Sequence, residues 1–313
     1  MNSFYMICAA IAAATAGVLL VMLLVETLRR RRELWRNDIL RRRYLHIVMF
    51  ALYADDGAVP RFPMLRRAGA RLLLAETLAG VAAMTYGLDM TVLRRIVKAY
   101  GLDRWLLRHV RRAQGYRRAR YLALLASLPV DGTVARRVVH YGRSRNRSVR
   151  FQALAVRLAA EPMSALRLLA DYAWPLTESE TAQIMALLRR GVLPVAYEPL
   201  VASPCSNLRR VGLCIVRQFG IEEAEPLLLR MLADARTPEL DAEALRTLCM
   251  LRRPLIRREV RDCVGRMSAS ERRVLLRCMV CEDYAPRFLH RIFDEGECGY
   301  YETMVKSYKR CLA

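Results

Sequence analysis

Three groups of side chains in this 313-residue chain are of types that do chemistry. Asp55 and Asp56, in Tyr-Ala-Asp-Asp from Tyr53, form an adjacent carboxylate pair of the kind that holds two metal ions for phosphoryl transfer. A pair used that way sits in a β-hairpin with a further carboxylate behind it. Here it ends an apolar helical run and leads into Gly57 and Pro60, which reads as a helix stop followed by a turn. Cys278 and Cys281, with His290 and Cys298 downstream, are zinc-competent ligand types. Their setting, "RRVLLRCMVCED", places the pair on a helix, where packing of an apolar face accounts for the spacing. His46, His109 and His140 are isolated, without the Ser, Cys or Asp neighbours of a triad, and no glycine-rich phosphate loop is present. The sequence therefore assigns no catalytic, cofactor-binding or metal-binding residue, and no cofactor or small-molecule substrate is implied. The expectation is a protein that is not an enzyme.

The elements that carry these residues repeat. Pro129, Pro162, Pro194, Pro226, Pro254 and Pro286 follow one another at steps of 33, 32, 32, 28 and 32 residues. Proline is tolerated in the first turn of a helix and is destructive inside one, so the ladder marks one turn recurring unit after unit. Apolar helical runs flank it: "RYLALLASLP", "VRFQALAVRLAAEP", "TAQIMALLRRGVLP", "AEALRTLCMLRRP" and "RRVLLRCMVCEDYAP". Small residues near the middle of these helices, Ala123, Ala153, Ala186, Gly212 and Ala244, let neighbours stack closely. Gly101 and Gly220 close helices where a left-handed cap is needed. A period in the low thirties with two short helices per unit predicts an all-α chain built as an α-solenoid.

The early Val/Leu-Arg, mid-helix Ala or Gly, and Pro or Gly at the turn resemble HEAT repeats, best around Arg150 and Arg209. The resemblance covers roughly residues 90 to 298 and implies about seven HEAT-like helix pairs. Armadillo-like or tetratricopeptide units are the second reading, although the aromatic pattern of the latter is missing. The segment from Asp171 to Ser203, with extra prolines at 175, 199 and 204, is degenerate, and the unit around Pro254 is short.

Residues 4 to 25 hold no charged side chain, and at 1.5 Å per residue a helix there matches the ~30 Å hydrocarbon layer. They are followed by Arg29, Arg30, Arg31, Arg32 and Arg36, which positive-inside logic assigns to the cytoplasm. The expectation is a single-pass anchor at 1–26, in a bacterial inner membrane, with the N-terminus outside. A basic juxtamembrane and helical capping region would span 27–89, and the solenoid 90–313. Ala9, Ala13 and Gly17 would form a ridge for helix pairing, and the five arginines would contact anionic lipid. Residues 64 to 88 read as a buried capping helix, because Arg71 and Glu76 interrupt them.

The formal net charge of +22 favours anionic partners. Nine cysteines, odd in number and mostly in apolar helical contexts, suit free buried thiols. Acidic residues cluster from Glu222 to Glu243 between basic blocks. Arg136, Arg137, Arg209, Arg210, Arg252, Arg253, Arg257 and Arg258 are the candidate partner-binding surface. The expected function is a membrane-anchored scaffold or adaptor for a protein partner, itself membrane-associated. A basic solenoid that binds nucleic acid is the alternative, less favoured because aromatic residues do not alternate with the arginine blocks.

Overall fold

The computed structural model describes residues 2–54, 58–84, 90–189, 196–234 and 238–312, less the side chains of residues 2–16, 18, 30, 286–288 and 309–312. Among the described residues there are helices and turns and no strand. The chain divides into two compact units, Met1–Val134 and Ala135–Ala313.

The first unit contains α1 (Asn2–Tyr53), α2 (Ala68–Met84), α3 (Thr91–Ala99), α4 (Leu102–Arg112) and α5 (Gly115–Ser127); α6 (Gly132–Val138) crosses the division. The C-terminal part of α1 packs on α2, which packs in turn on α5. Tyr44, Leu74, Leu78, Leu122 and Leu125 are fully buried there. The proline-rich stretch between α1 and α2 is fixed by two tyrosines. Tyr44 Oη donates to the Pro63 carbonyl and Tyr100 Oη to the Pro60 carbonyl, each at 2.6 Å. Phe62 sits edge-on to both rings, at 5.5 and 5.4 Å. The α2 segment is a buried helix, as its interruption by Arg71 and Glu76 implies.

The membrane expectations are overturned. No helix is long and apolar enough to cross a membrane among the described residues. A span needs about 20 consecutive apolar residues. The helix does not stop where an anchor would end; it continues as one 52-residue element to Tyr53. The single-pass anchor, the outside N-terminus and the inner-membrane location are withdrawn together. Of the pairing ridge, the Ala9 and Ala13 side chains lie outside the described residues, and a Cβ at Gly17 would meet nothing within 4 Å. Arg29, Arg31, Arg32 and Arg36 are exposed along α1, and the side chain of Arg30 lies outside the described residues.

The second unit contains α7 (Arg147–Ala160), α8 (Ala165–Ala170), α9 (Glu178–Leu188), α10 (Glu198–Val201), α11 (Ser206–Phe219), α12 (Glu225–Asp234), α13 (Pro238–Met250), α14 (Arg258–Arg266), α15 (Ala269–Cys281) and α16 (Glu295–Leu312). Its longer helices pack in series, α7 on α9, α9 on α11, α11 on α13, α13 on α15 and α15 on α16. Shorter helices alternate with them, α8 against α7 and α11, and α12 and α14 against α13. The prolines sit at the turns between. Pro162 and Pro286 begin 3-10 turns, Pro226 is the second residue of α12, and Pro254 follows α13. Pro194 lies outside the described residues. Gly220 closes α11 at φ 62° and Gly101 precedes α4 at φ 57°, the left-handed conformation that a β-carbon disfavours.

The core of this unit is a succession of two clusters. One joins Phe151, Leu154, Leu168, Ile184, Val211 and Ile215 across α7 to α11. The next runs from Val201 and Leu213 through Leu245 and Leu276 to Tyr301. Gly212 is where the helices approach most closely. A Cβ there would meet Leu200 Cβ and Val201 Cγ2, both at 2.9 Å, so α10 lies directly on the α11 backbone.

Candidate interaction surface

The second unit is held by polar ties at repeat spacing. Arg147, at the start of α7, grips Glu180 of α9 with Nε at 3.1 Å and Nη2 at 2.8 Å. The Glu180 carboxylate also accepts the Thr177 backbone N–H, while the Thr177 hydroxyl accepts the Glu180 N–H, a capping box that fixes the start of α9. These residues are 33 apart in sequence. Asn207 of α11 reaches back to the stretch before α9. Its Oδ1 accepts from Leu176 N at 3.0 Å, and its Nδ2 donates to the carbonyls of Tyr172 and Trp174 at 2.8 and 3.0 Å.

The pattern continues down the stack. Arg210 donates to the Leu176 carbonyl, and its Nε lies 2.9 Å from Glu243 Oε1, an ion pair without hydrogen-bond alignment. Arg253 binds Glu225 at 2.6 Å and Glu222 at 2.8 Å, and Arg257 joins Glu225 at 3.2 Å. Arg266 donates to the Leu232 carbonyl, and Tyr284 to the carbonyls of Cys249 and Arg253. Those ties from Arg253 onward span 28 to 35 residues. Those of Arg253, Arg257 and Tyr284 join one turn of the proline ladder to the next.

Burial sets the protonation of the tied acids. Desolvation pushes Glu180 upward, but the Arg147 hydrogen bonds and the Thr177 cap outweigh it and hold the carboxyl below its ordinary range. Glu243 goes the other way. Its burial prevails over Arg210, Arg217 and Arg246 and raises it, and Asp241 is raised for the same reason against Arg266 and Arg209.

Clefts open along these helices. One of 330 Å³ lies among the N-terminal turns of α9, α13 and α15, lined by Glu178, Arg210, Glu239, Glu243, Arg246 and Glu271. Another, of 410 Å³, is mostly apolar and follows the turns after α13 and α15, with Pro254, Leu255, Ile256, Met279 and Ile292 on its walls.

The arginines expected to form a partner surface divide into two kinds. Arg136 and Arg137 are exposed on α6. Arg210 and Arg253 are internal ties, Arg252 pairs with Glu282 at 3.2 Å, and Arg258 approaches Asp262 at 3.7 Å. Arg209 is half-buried with an Nε that has no hydrogen-bond partner. Cys278 and Cys281 lie on α15, half-buried and exposed, and Cys298 is buried on α16. Among the described residues no group of three His, Cys, Asp or Glu side chains could hold a metal ion. Asp55 and Asp56 lie outside the described residues, just beyond the end of α1 at Tyr53. Sequence reasoning missed Glu180, Asn207 and Glu243. Only Glu180 had a local signal, the Thr-x-x-Glu spacing of a capping box.

No protein-family model matches the chain, and no curated protein or solved structure matches it either.

Proposed function

We propose that the chain is a HEAT-like α-solenoid scaffold whose second unit binds a protein partner, and that it carries out no catalysis of its own. The observation that supports this reading is the recurrence of cross-ties 28 to 35 residues apart between helices packed in series. A stack of helices packed chiefly on their neighbours, here with one longer tie from Arg246 to Glu178, presents an extended surface, the property that such scaffolds use for partners. The clefts at the helix N-termini and at the proline turns supply mixed charge beside apolar walls, the composition of a protein interface rather than of a phosphate track. Several arginines that could have held a nucleic-acid backbone already serve carboxylates of the same chain.

The test is reciprocal affinity purification of the tagged chain from its native cells after nuclease treatment, followed by light scattering on the reconstituted pair. The reading expects one identified protein that forms a complex of fixed stoichiometry with the purified chain. If the chain instead elutes alone and shifts short duplexes at low salt, with binding that collapses steeply as salt rises, it is a nucleic-acid binder and the reading fails.

A further inference from the structure

At the start of the second unit is a cleft of 470 Å³, enclosed by α7, the 3-10 turn before it and the segment after α8. Arg143, Arg150, Arg157, Asp171, Tyr172 and Trp174 are among the residues that line it. Arg150 and Arg157 are seven positions apart on α7, two turns along one face, which brings both guanidinium groups to the same wall.

Arg150 is the informative residue. It is only 9% exposed, and its Nη1 donates to the carbonyls of Ser144 and Arg145 at 2.8 and 2.9 Å. The Trp174 ring covers the guanidinium at 4.1 Å. Its Nε is buried without a hydrogen-bond partner. Two other deep arginines of this unit face a carboxylate, Arg210 that of Glu243 and Arg272 that of Glu297, whereas half-buried Arg209 forms no ion pair among the described residues. Among the described residues Arg150 forms no ion pair, and neither do Arg143 and Arg157. The nearby Glu180 is committed to Arg147. A buried charge without a counter-charge is costly, and buried arginines are ordinarily paired. Here the missing anion has a place to sit, because an open cleft lies over the group. Tyr172 lies on the same wall, its hydroxyl raised above its ordinary range by burial. Trp174, half exposed at 50%, leaves aromatic surface free beside the charge.

We infer that this cleft binds an acidic peptide segment of the partner, one glutamate or aspartate carboxylate taken by Arg143 and Arg157 above the fixed charge of Arg150, and a neighbouring apolar side chain laid on Trp174. The two outer arginines are exposed and half-buried, able to close on a carboxylate, whereas Arg150 is held from behind and supplies preorganised charge. This rests on the scaffold reading and names the chemistry of its partner.

The test is isothermal titration of the full chain with a pentapeptide carrying two glutamates beside one phenylalanine. Its glutamine counterpart, inorganic phosphate and a short single-stranded RNA are titrated in parallel. The double variant Arg143→Gln, Arg157→Gln is compared with wild type, with its thermal unfolding measured as the check on folding. The expected result is saturable binding of the acidic peptide, weakened roughly tenfold or more both by glutamine in the peptide and by the double variant, which melts as wild type does. Equal binding of the acidic and neutral peptides, or no binding of either at millimolar concentration, overturns the inference. So does preference for phosphate or RNA. Because the readout is a peptide, its failure leaves a captured protein partner standing, and loss of the partner would not by itself abolish peptide binding. Should the double variant unfold, Trp174→Ala replaces it, with the same tenfold loss expected and unchanged affinity overturning the inference.

Discussion

The two units use arginine and glycine differently. In the first, the ion pairs among the described residues lie at the surface: Arg120 with Glu76, Lys98 and Arg94 with Asp131, and Arg42 with Asp38, with cationic side chains 48 to 80% exposed. In the second, exposed pairs such as Arg253 with Glu222 also occur, but three carboxylates that receive arginine, Glu243, Glu180 and Glu225, are sunk to between 4 and 11% exposure, against 30 to 54% for Glu76, Asp131 and Asp38. Exposed pairs contribute ~0–1 kcal/mol each, because water screens them and two long side chains must be ordered. Sunken pairs are costly to break and can be formed only in one register. Glycine shows the same contrast. Gly80 of α2 has open space where a Cβ would go, while Gly212 of α11 has α10 against it at 2.9 Å. The first unit is held by apolar burial and a tyrosine-pinned loop. The second adds polar ties between helices and turns some thirty residues apart.

The sharpest way to break this contrast is Asn207→Ala. It removes three hydrogen bonds from a buried side chain and leaves the Leu176 N–H without its acceptor, so a loss of about 3 kcal/mol is expected in urea unfolding. Gly212→Ala should follow, costing about 2 kcal/mol because Leu200 and the Val201 backbone must move apart. The same change at Gly80 should have the opposite sign, a gain of about 0.5–1 kcal/mol from helix propensity in open space. A loss at Gly80 would show that α2 is packed as tightly as α11. At the small end, Arg120→Ala should cost about 0.5 kcal/mol or less, and that cost should vanish in high salt.

Acid gives a further separation. Glu180 has a folded pKa below its unfolded value, so the stability it contributes is present at neutral pH and is lost as pH falls through the folded pKa, below about 4.3. Wild type should therefore lose more stability than Glu180→Gln between pH 6 and pH 3.5. Glu243 has the reverse sign. A carboxyl raised in the folded state makes the chain less stable as pH rises above the unfolded value, so Glu243→Gln should gain relative to wild type between pH 4.5 and pH 7. Parallel pH curves for both variants would remove the distinction between the two acids. Urea midpoints measured across pH decide it.

Much of the helical frame is legible in the sequence. Proline at first turns and glycine at left-handed caps are local constraints, and Pro162, Pro286 and Gly220 stand where such constraints put them. The ties are not legible, because their partners lie some thirty residues away and the identity of Asn207 or Glu243 says nothing about which turn it will reach. The apolar run at 4–25 misled for a related reason. Read alone it matches the length of a span, but it belongs to a helix that runs on through the arginines to Tyr53, and among the described residues no helix is long and apolar enough to cross a membrane. The arginine cleft at Arg150 was visible only as a motif residue until Trp174, 24 positions on, was seen lying over it.

The claim that the second unit is a stack coupled between neighbours is tested most directly by hydrogen exchange on Asn207→Ala in the full chain. The account predicts the largest loss of amide protection in α9 and α11, less in α7 and α13, and none in α16, since stability in such a stack passes from each repeat to the next. Equal loss from α7 through α16 would show a single cooperative globule and contradict it.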